Sequence, residues 1–302
     1  MKKILLSVLM LAGSTAAWSQ TTTPPDTLWR ISGDFGFKFS QVSLTNWAAG
    51  GQNSYAFNAT YLMNADYAKN KWSWDNLIVL GYGLLKQGDQ PLNKTNDQII
   101  LNTKLGYDMG KAWYANLNAN FRTQFTDGFN LPNDSVRIST FMAPAYLVAG
   151  LGFEYKPNEH FNAMINPVSN KTTFVMADDL AAVGAYGVDS ASHVRAEFGA
   201  YLTLGYKKEI VKNVNLATLF TLFGNYENLA VWDVNWDMIL DFKINSWLSA
   251  NLTTNLIYDQ DIKIPVDRTG DGIKESFGPR VQFRESFGLG LTAKFNKKTV
   301  AK

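Results

Sequence analysis

The chain has 302 residues, of which 18% are charged and 14% are aromatic. Soluble domains usually contain about 25% charged residues, so this chain is weakly charged for its length. After Lys2 and Lys3 are set aside, 26 basic and 26 acidic residues remain, and this zero net charge argues against a nucleic-acid partner. The sequence has no cysteine, which excludes a fold held together by disulfides.

The first residues have the pattern of a secretory signal peptide. Two lysines precede an apolar run over residues 4–11, and residues 17–19 (Ala-Trp-Ser) supply small side chains where cleavage occurs. The apolar run is much shorter than the roughly 20 residues that a membrane-spanning helix needs. The sequence therefore predicts a signal peptide at 1–19, cleavage before Gln20, and a flexible leader at 20–28.

The dominant pattern in the rest of the chain is an alternation of side chains with a period of two. In residues 113–125, Asn116, Asn118 and Asn120 alternate with apolar side chains. A helix would spread these asparagines around its circumference, whereas a strand places them on one face. Twelve such segments are predicted as strands: 29–44, 54–68, 72–85, 97–109, 113–125, 143–155, 161–168, 194–206, 214–226, 231–244, 247–258 and 279–295.

The connections between these segments differ in length. Those after every second strand are short, whereas most of the others are longer, polar and rich in glycine. Trp72, Trp113 and Trp247 open strands beside short connections, and they predict an aromatic girdle there. Bacterial outer-membrane barrels have short periplasmic turns and longer outer loops. A soluble periplasmic barrel is the alternative, and it would turn its polar face outward.

The sequence therefore predicts an all-β fold, a transmembrane antiparallel up-and-down β-barrel of about 12 strands. We expect the barrel at 29–295 and a periplasmic tail at 296–302. The predicted location is the bacterial outer membrane, reached through the signal peptide, with outer-membrane lipid around the barrel. None of the nine prolines falls in the middle of a predicted strand, where a ladder hydrogen bond would be lost.

Four stretches of the chain resemble segments of a known family. They are Asn-Trp-Ala-Ala-Gly-Gly at 46–51, Trp-Ser-Trp-Asp-Asn at 72–76, Asn-Pro-Val-Ser-Asn-Lys at 166–171 and Gly-Ala-Tyr-Gly-Val at 184–188. The family that they resemble is an uncharacterised group of Bacteroidota outer-membrane proteins, Domain of Unknown Function 3078. The resemblance implies a barrel in the outer membrane, but it brings no established activity and no functional residues.

The predicted inner face of the barrel carries charged residues. Segment 231–244 places three carboxylates in a row, whereas the first and last strands, which must pair to close the barrel, carry basic residues. The candidate lumen-facing residues are Arg30, Lys38, Asp233, Asp237, Asp241, Arg280 and Arg284. An acidic wall and a basic wall would orient polar solutes in a water-filled constriction. Salt bridges that fill the lumen are the alternative, because twelve strands lie between filled and open barrels.

The loop at 169–193 contains an alanine-rich segment at 176–187. This segment predicts a short helix, either folded into the barrel mouth as a plug or held on the surface. Its apolar neighbours favour the mouth, because they need a place to be buried: Phe174, Val175, Leu180, Val183 and Tyr186.

The last long loop contains a weak candidate for a calcium site. Asp267, Thr269 and Asp271 have the spacing with which a calcium-binding loop begins. Position twelve of that loop would be Gly278 instead of the usual glutamate, so a plain Asp-Gly turn is the alternative. No other cofactor is predicted.

The leading functional hypothesis is a small porin-like channel or transporter for an unidentified polar solute. The alternative is a non-enzymatic scaffold with a plugged lumen that binds another envelope protein. A lipid hydrolase is a weaker alternative, because it needs a histidine beside a nucleophile or carboxylate. The only histidines are His160, in a predicted turn, and His193, at the edge of a loop, and no catalytic residue is predicted.

Overall fold

The computed structural model of the protein describes residues 27–45, 51–129, 135–262, 264–266 and 276–300. The predicted signal peptide lies outside the described residues. The strands, in chain order, are β1 (Thr27–Val42), β2 (Ser54–Lys69), β3 (Trp72–Gln87), β4 (Asn93–Gly110), β5 (Trp113–Thr123), β6 (Gly128–Phe129), β7 (Arg137–Ser139), β8 (Ala145–Tyr155), β9 (Phe161–Phe174), β10 (Val194–Val211), β11 (Val214–Asn225), β12 (Trp232–Lys243), β13 (Leu248–Tyr258), β14 (Ile264–Val266), β15 (Ser276–Gly278) and β16 (Gln282–Val300).

Twelve of these strands form a closed antiparallel barrel, which confirms the predicted fold. The order around the barrel is β1-β16-β13-β12-β11-β10-β9-β8-β5-β4-β3-β2, so each strand pairs with its neighbours along the chain and β1 pairs with β16. The remaining strands form two small hairpins, β6–β7 and β14–β15. Every predicted strand corresponds to one barrel strand, because each has the period-two alternation that a two-faced sheet requires.

The barrel turns its apolar face outward. Leu117 of β5 is 55% exposed, whereas Asn116 and Asn118 on the opposite face are 2% and 7% exposed. A closed ring of strands satisfies its backbone hydrogen bonds internally, and an apolar outer face suits contact with lipid hydrocarbon. This distribution is that of a membrane-spanning barrel and the reverse of that of a water-soluble one.

The two ends of the barrel differ. We call the end that carries the turns after β2, β4, β8, β10 and β12 the short-turn end, and the opposite end the long-loop end. At the short-turn end, Asn70 has a φ of 56°, a left-handed conformation that asparagine tolerates in tight turns. Trp72 contacts Tyr107 there, and Trp113 contacts Tyr155, with ring centroids 5.0 Å apart in both pairs.

The last strand differs from the predicted segment 279–295 at both ends. Its ladder begins at Gln282, three residues after Pro279, which has no N–H group to donate. It ends at Val300, so part of the predicted periplasmic tail belongs to the barrel. The reason is that β1 begins two residues before the predicted start and its Thr27 pairs with Val300.

The ninth strand is also longer than its predicted segment, 161–168. β9 continues to Phe174, because the pairing with both neighbours shifts by one residue near Asn166. Such a β-bulge leaves one residue unpaired and changes which residues face inward. The alternation after the bulge therefore restarts with Ser169 and Lys171 on the inner face.

A short helix, α1 (Asp178–Ala182), and a 3₁₀ turn (Ala185–Gly187) lie in the connection after β9. Among the described residues, no helix is long and apolar enough to cross a membrane.

Candidate functional site

A buried lysine is the centre of a charged network inside the barrel. The Nζ atom of Lys171 lies 2.5 Å from the Asp233 carboxylate, 3.3 Å from Asp259 and 3.9 Å from Glu197. Only 8% of the Lys171 side chain is exposed, and its ammonium lies 5.7 Å from the centre of the Phe223 ring. This lysine on β9 therefore reaches across β10 and β11 to carboxylates at the ends of β12 and β13 that face the long loops.

Arg195 extends the network toward the long-loop end. Its guanidinium donates to Glu197 at 3.0 Å and lies 2.7 Å from Asp261, while Asn225 donates to Glu197 at 2.9 Å. We use the term Lys171 network for Lys171, Arg195, Glu197, Asp233, Asp259 and Asp261. With all six groups ionised, four carboxylates face two cations and leave a net charge of −2.

A small cavity lies beside this network. Its volume is about 70 Å³, which is room for roughly two water molecules. The lining includes Arg195, Glu197, Asn225, Asp233 and Asp261. The second carboxylate oxygen of Glu197 is buried and has no hydrogen bond among the described residues. Water in the cavity would satisfy this oxygen, because buried polar atoms need a partner.

The sequence analysis missed Lys171 because it placed this residue in a loop. Pro167 ended the predicted strand, and the bulge beside it moved the inward positions from even to odd numbers. The signal that could have found Lys171 is the run Ser169, Lys171 and Thr173, which repeats the spacing of the predicted inward positions on the next strand.

A second charged network lies inside the barrel at the short-turn end. Glu154, which is 1% exposed, is 2.8 Å from Nζ of Lys104 and 3.3 Å from Nζ of Lys156. Both lysines also approach Asp75, at 3.4 Å and 3.5 Å, and Asn162 donates to Glu154 at 3.2 Å. These contacts join β3, β4, β8 and β9, so they stabilise one side of the barrel wall.

The three predicted carboxylates of β12 line its inner side, but each has polar neighbours. Asp233 pairs with Lys171, and Asp237 accepts a hydrogen bond from Asn255 at 2.6 Å. Asp241 lies beside Asn251 of β13 in the strand register. The acidic strand is therefore compensated partly by a lysine from β9.

The predicted basic residues of the first and last strands are placed differently from one another. Arg30 lies 3.9 Å from Asp66 of the adjacent β2, and Lys38 donates to Asn251 at 2.5 Å. Arg284 lies on the inner side of β16, opposite Asn255, and is exposed.

Arg280 is a correction to the prediction. It precedes the first residue of β16, is exposed, and donates to the carbonyl of Pro279 at 3.0 Å. The β16 ladder begins at Gln282, so Arg280 is not a strand residue and the ladder does not direct its side chain into the lumen.

Part of the inner wall is open to water. Leu219 of β11 and Ile239 of β12 lie midway along their strands on the inner face, and they are 41% and 43% exposed. In contrast, Asn166 and Thr173 on the inner face of β9 are 0% and 2% exposed. The lumen is therefore filled along β9 and accessible along β11 and β12.

The connection at 175–193, which we call the cap, folds over the filled side. Val175, Leu180, Ala181 and Val188 form an apolar cluster with Ala143, and all five are buried. The predicted short helix is thus present and packed, since its apolar side covers other apolar side chains.

The cap also contacts the inner wall, which supports the predicted location at the mouth. Arg195 of the Lys171 network donates to the carbonyl of Gly187 in the cap at 3.2 Å. One predicted buried residue is an exception, because Val183 is 74% exposed and follows the last residue of α1.

Two contacts attach the cap to the β6–β7 hairpin. Arg137 donates to Asp179 at 2.6 Å, and the Tyr186 hydroxyl donates to the carbonyl of Ile138 at 2.5 Å. The hydrogen bond from Arg137 holds the pKa of Asp179 below its usual value. Burial raises the pKa of Tyr186 to about 12, so this hydroxyl remains a donor at all ordinary pH values.

Acid is expected to loosen this attachment. Because the pKa of Asp179 is lower in the folded state, its stabilisation is present above the ordinary aspartate pKa and lost as pH falls through the lowered value. The Asp179 side chain is exposed and that of Arg137 is only partly buried, so Asp179→Asn should speed hydrogen exchange in α1 only about two- to five-fold near pH 6. Wild type and variant should converge in acid, and equal rates near pH 6 would contradict the expectation.

The two histidines are placed apart. The His160 ring lies in the turn after β8 and contacts the carbonyl of Lys207 at 3.1 Å. The His193 ring lies beside the cap, 2.8 Å from the carbonyl of Val175 and 3.5 Å from Asp178. The nearby hydroxyl of Ser192 donates to the carbonyl of Val194 and not to the imidazole.

The weak calcium loop lies outside the described residues, since Asp267, Thr269 and Asp271 fall in 267–275. Within the described ranges, no three His, Asp or Glu side chains are arranged to hold a metal ion.

Comparison with known proteins gives a family match for part of the chain. Residues 39–129 match the family described as Protein of unknown function (DUF3078), which confirms the resemblance over that part. No curated protein matches the sequence.

Several solved membrane barrels are distantly similar in structure. An outer membrane channel from Pseudomonas putida F1 is 10% identical, with 93% of this chain and 100% of that chain covered and a TM-score of 0.41. The translocator domain of the autotransporter NalP from Neisseria meningitidis is 9% identical, with coverage of 91% and 90% and a TM-score of 0.38. The toluene transporter TodX from Pseudomonas putida is 9% identical, with coverage of 91% and 90% and a TM-score of 0.30. At these values the similarities carry no argument about function.

Proposed function

We propose that the protein is an outer-membrane channel or transporter for small polar solutes. The observation that carries the proposal is the water-accessible inner wall at Leu219 and Ile239. A lumen packed with side chains along its whole length would bury these two residues. Charged and amide groups surround the accessible space, and such a lining favours polar solutes over apolar ones.

The outer-membrane location is part of this proposal. An apolar outer face and aromatic pairs at the short-turn end are the features of a barrel held between two lipid–water interfaces. With a signal peptide removed during export, the short-turn end and both termini lie in the periplasm, and the long loops face outward.

The net charge of the Lys171 network supports a preference for cations over anions. A constriction with excess negative charge and low-dielectric walls concentrates cations and repels anions. In planar bilayers under a potassium chloride gradient, we expect a reversal potential of the sign for cation selectivity. An anion-selective reversal potential would contradict this assignment of the charged site.

Single-channel recording of the purified, refolded protein is the direct test of the proposed function. Discrete conductance steps in planar bilayers and flux of a small sugar or amino acid from liposomes are the expected results. A heat-denatured preparation at the same protein-to-lipid ratio is the control for leaks. Absence of both conductance and flux would overturn the proposal.

A plugged, non-enzymatic scaffold is the second candidate, and the cap and the filled β9 wall are the observations that favour it. It predicts no conductance, together with a partner protein recovered by crosslinking in intact cells. A lipid hydrolase is disfavoured by the carbonyl contacts of both imidazoles. Lipase activity in the wild-type protein that is lost in the double variant His160→Ala, His193→Ala would support the hydrolase hypothesis.

A further inference from the structure

The first and last strands of the barrel pair along only part of their length. The β1–β16 ladder runs from Thr27 and Val300 to Phe37 and Leu291, and among the described residues it has no further pair. Both strands nevertheless continue toward the long-loop end. On its other side β1 remains paired with β2 as far as Val42, and β16 remains paired with β13 from its first residue.

The number of residues missing from this ladder follows from its register. In the established register, the five residues Lys38–Val42 would pair with the five residues Gly290–Ser286. At the first of these rows the two strands still touch, because a Cβ atom at Gly290 would lie 3.4 Å from Lys38 Cα. At about 3.4 Å per residue, the other four rows correspond to an opening roughly 14 Å long in the wall. We call this opening the β1–β16 gap.

The side chains beside the gap are exposed on both faces of the wall. On the outer face, Phe287 is 69% exposed, compared with 43% for Phe295 in the paired part of the same strand. On the inner face, Ser40, Arg284 and Ser286 are exposed. The gap therefore has an apolar outer lip and a polar inner lip.

Lys38 crosses the base of the gap on the inner side. Its side chain passes over two glycines of β16 and donates to Asn251 of β13 at 2.5 Å. A Cβ atom at Gly290 would lie 2.6 Å from Lys38 Cγ, and one at Gly288 would lie 2.7 Å from Lys38 Nζ. The two glycines thus leave the space that lets a cation from β1 reach past the adjacent strand.

The position of the gap relative to the cap is also informative. In the order around the barrel, β1 and β16 lie opposite β9 and β8, and β9 carries Lys171 and leads into the cap. The cap covers one side of the mouth, and the gap opens the wall on the other side. A molecule in the accessible lumen therefore has a sideways route that the cap does not obstruct.

We propose that the β1–β16 gap is a lateral portal between the lumen and the membrane for an amphipathic molecule with an anionic head group. Lys38 faces inward at the base of the gap and Arg284 faces inward at its long-loop end, so each supplies a cation for the head group at a different level. Phe39, Phe283 and Phe287 face outward and contact an apolar tail. The unpaired backbone groups of the two strands are solvated through the lumen, because hydrocarbon offers them no partner.

Hydrogen exchange tests whether the gap exists in lipid. Each strand directs alternate amides toward the seam, so those within Lys38–Val42 should exchange at least about 100-fold faster than those of residues 29–37. Amides of β2 at the same level serve as the control, since β2 is paired on both sides. Equal protection along the whole of β1 would overturn the proposal.

Photolabelling tests whether an amphipathic anion uses the portal. A palmitate with its diazirine next to the carboxylate, added to phosphatidylcholine vesicles that contain the protein, should label outward residues and also inward Ser286. Closing the gap through Phe39→Cys with Leu289→Cys, by oxidation or a short bis-thiol reagent, should abolish the inward label and spare the outward one. Phe35→Cys with Ala293→Cys is the matched control, because that pair lies in the formed ladder.

Substitutions of the inward-facing cations test whether they bind the head group. Arg284→Gln and Lys38→Gln should each reduce inward labelling about tenfold, as expected when a charge-assisted hydrogen bond is lost. Arg280→Gln should leave it unchanged, because the β16 ladder does not direct the Arg280 side chain into the lumen. Labels confined to outward residues in wild type, or inward labels that persist after closure, would overturn the proposal. These experiments do not measure conductance, so the portal can be contradicted without contradicting the channel, and the reverse also holds.

Discussion

Replacing Lys171 with methionine is expected to lower the free energy of unfolding by about 3–5 kcal/mol. The substitution leaves Asp233, Asp259 and Glu197 buried without the cation that they share. Methionine nearly matches the length of lysine, so the loss is mainly electrostatic. Urea unfolding in lipid vesicles, followed by tryptophan fluorescence, measures the change.

Two further variants make this expectation specific. Lys212→Met removes an exposed lysine from the turn after β10 and should change stability by less than about 0.5 kcal/mol. Adding Asp233→Asn to Lys171→Met should restore part of the loss, because one uncompensated carboxylate is removed. A Lys171→Met protein as stable as wild type would mean that the network carries little electrostatic stabilisation.

Removing the cap is expected to raise single-channel conductance severalfold. Val175 and His193 are joined by a backbone hydrogen bond, so residues 177–191 can be replaced by Asn-Gly to make a two-residue hairpin between β9 and β10. The shortened loop no longer covers the inner wall near Arg195, so we expect a wider route at this end of the lumen. Planar bilayer recording compares the two proteins under the same salt.

The outcome separates the two candidate functions. A larger conductance step in the variant supports a cap that constricts an open channel. A silent wild type with a conducting variant supports the plugged scaffold, with the cap as the plug. A matched control shortens the exposed connection at residues 88–91, which leaves the cap in place. Unchanged conductance in the cap variant would mean that the cap does not limit passage.

The barrel was predictable from the sequence because every strand of a membrane barrel alternates between residues that face lipid and residues that face the lumen. The asparagines of β5 and the apolar residues between them, Leu117 and Ala119, face opposite media, so their alternation is strict. The orientation of the inner face followed from the same alternation, which placed Asp233 and Arg284 correctly on the inner side.

The charged network was less predictable, because its partners are far apart in the chain. Lys171 and Asp233 meet across two intervening strands, and one extra residue at a bulge decides that Lys171 faces inward. Composition carries no signal for that shift. The prediction for Arg280 depended on a related point, because the β16 ladder begins two residues after it and does not orient its side chain.

The incomplete seam has a consequence for how the barrel forms. β1 and β16 come from opposite ends of the chain, so their contact closes the largest loop in the molecule and is the most costly in chain entropy. The other ladders join neighbours in sequence, whereas this one must wait until all of them are in place. The β1–β16 ladder is also shorter than the two strands, so fewer hydrogen bonds offset this entropy cost. We therefore expect closure to be the final step of folding, and the same seam to be the first to separate on unfolding.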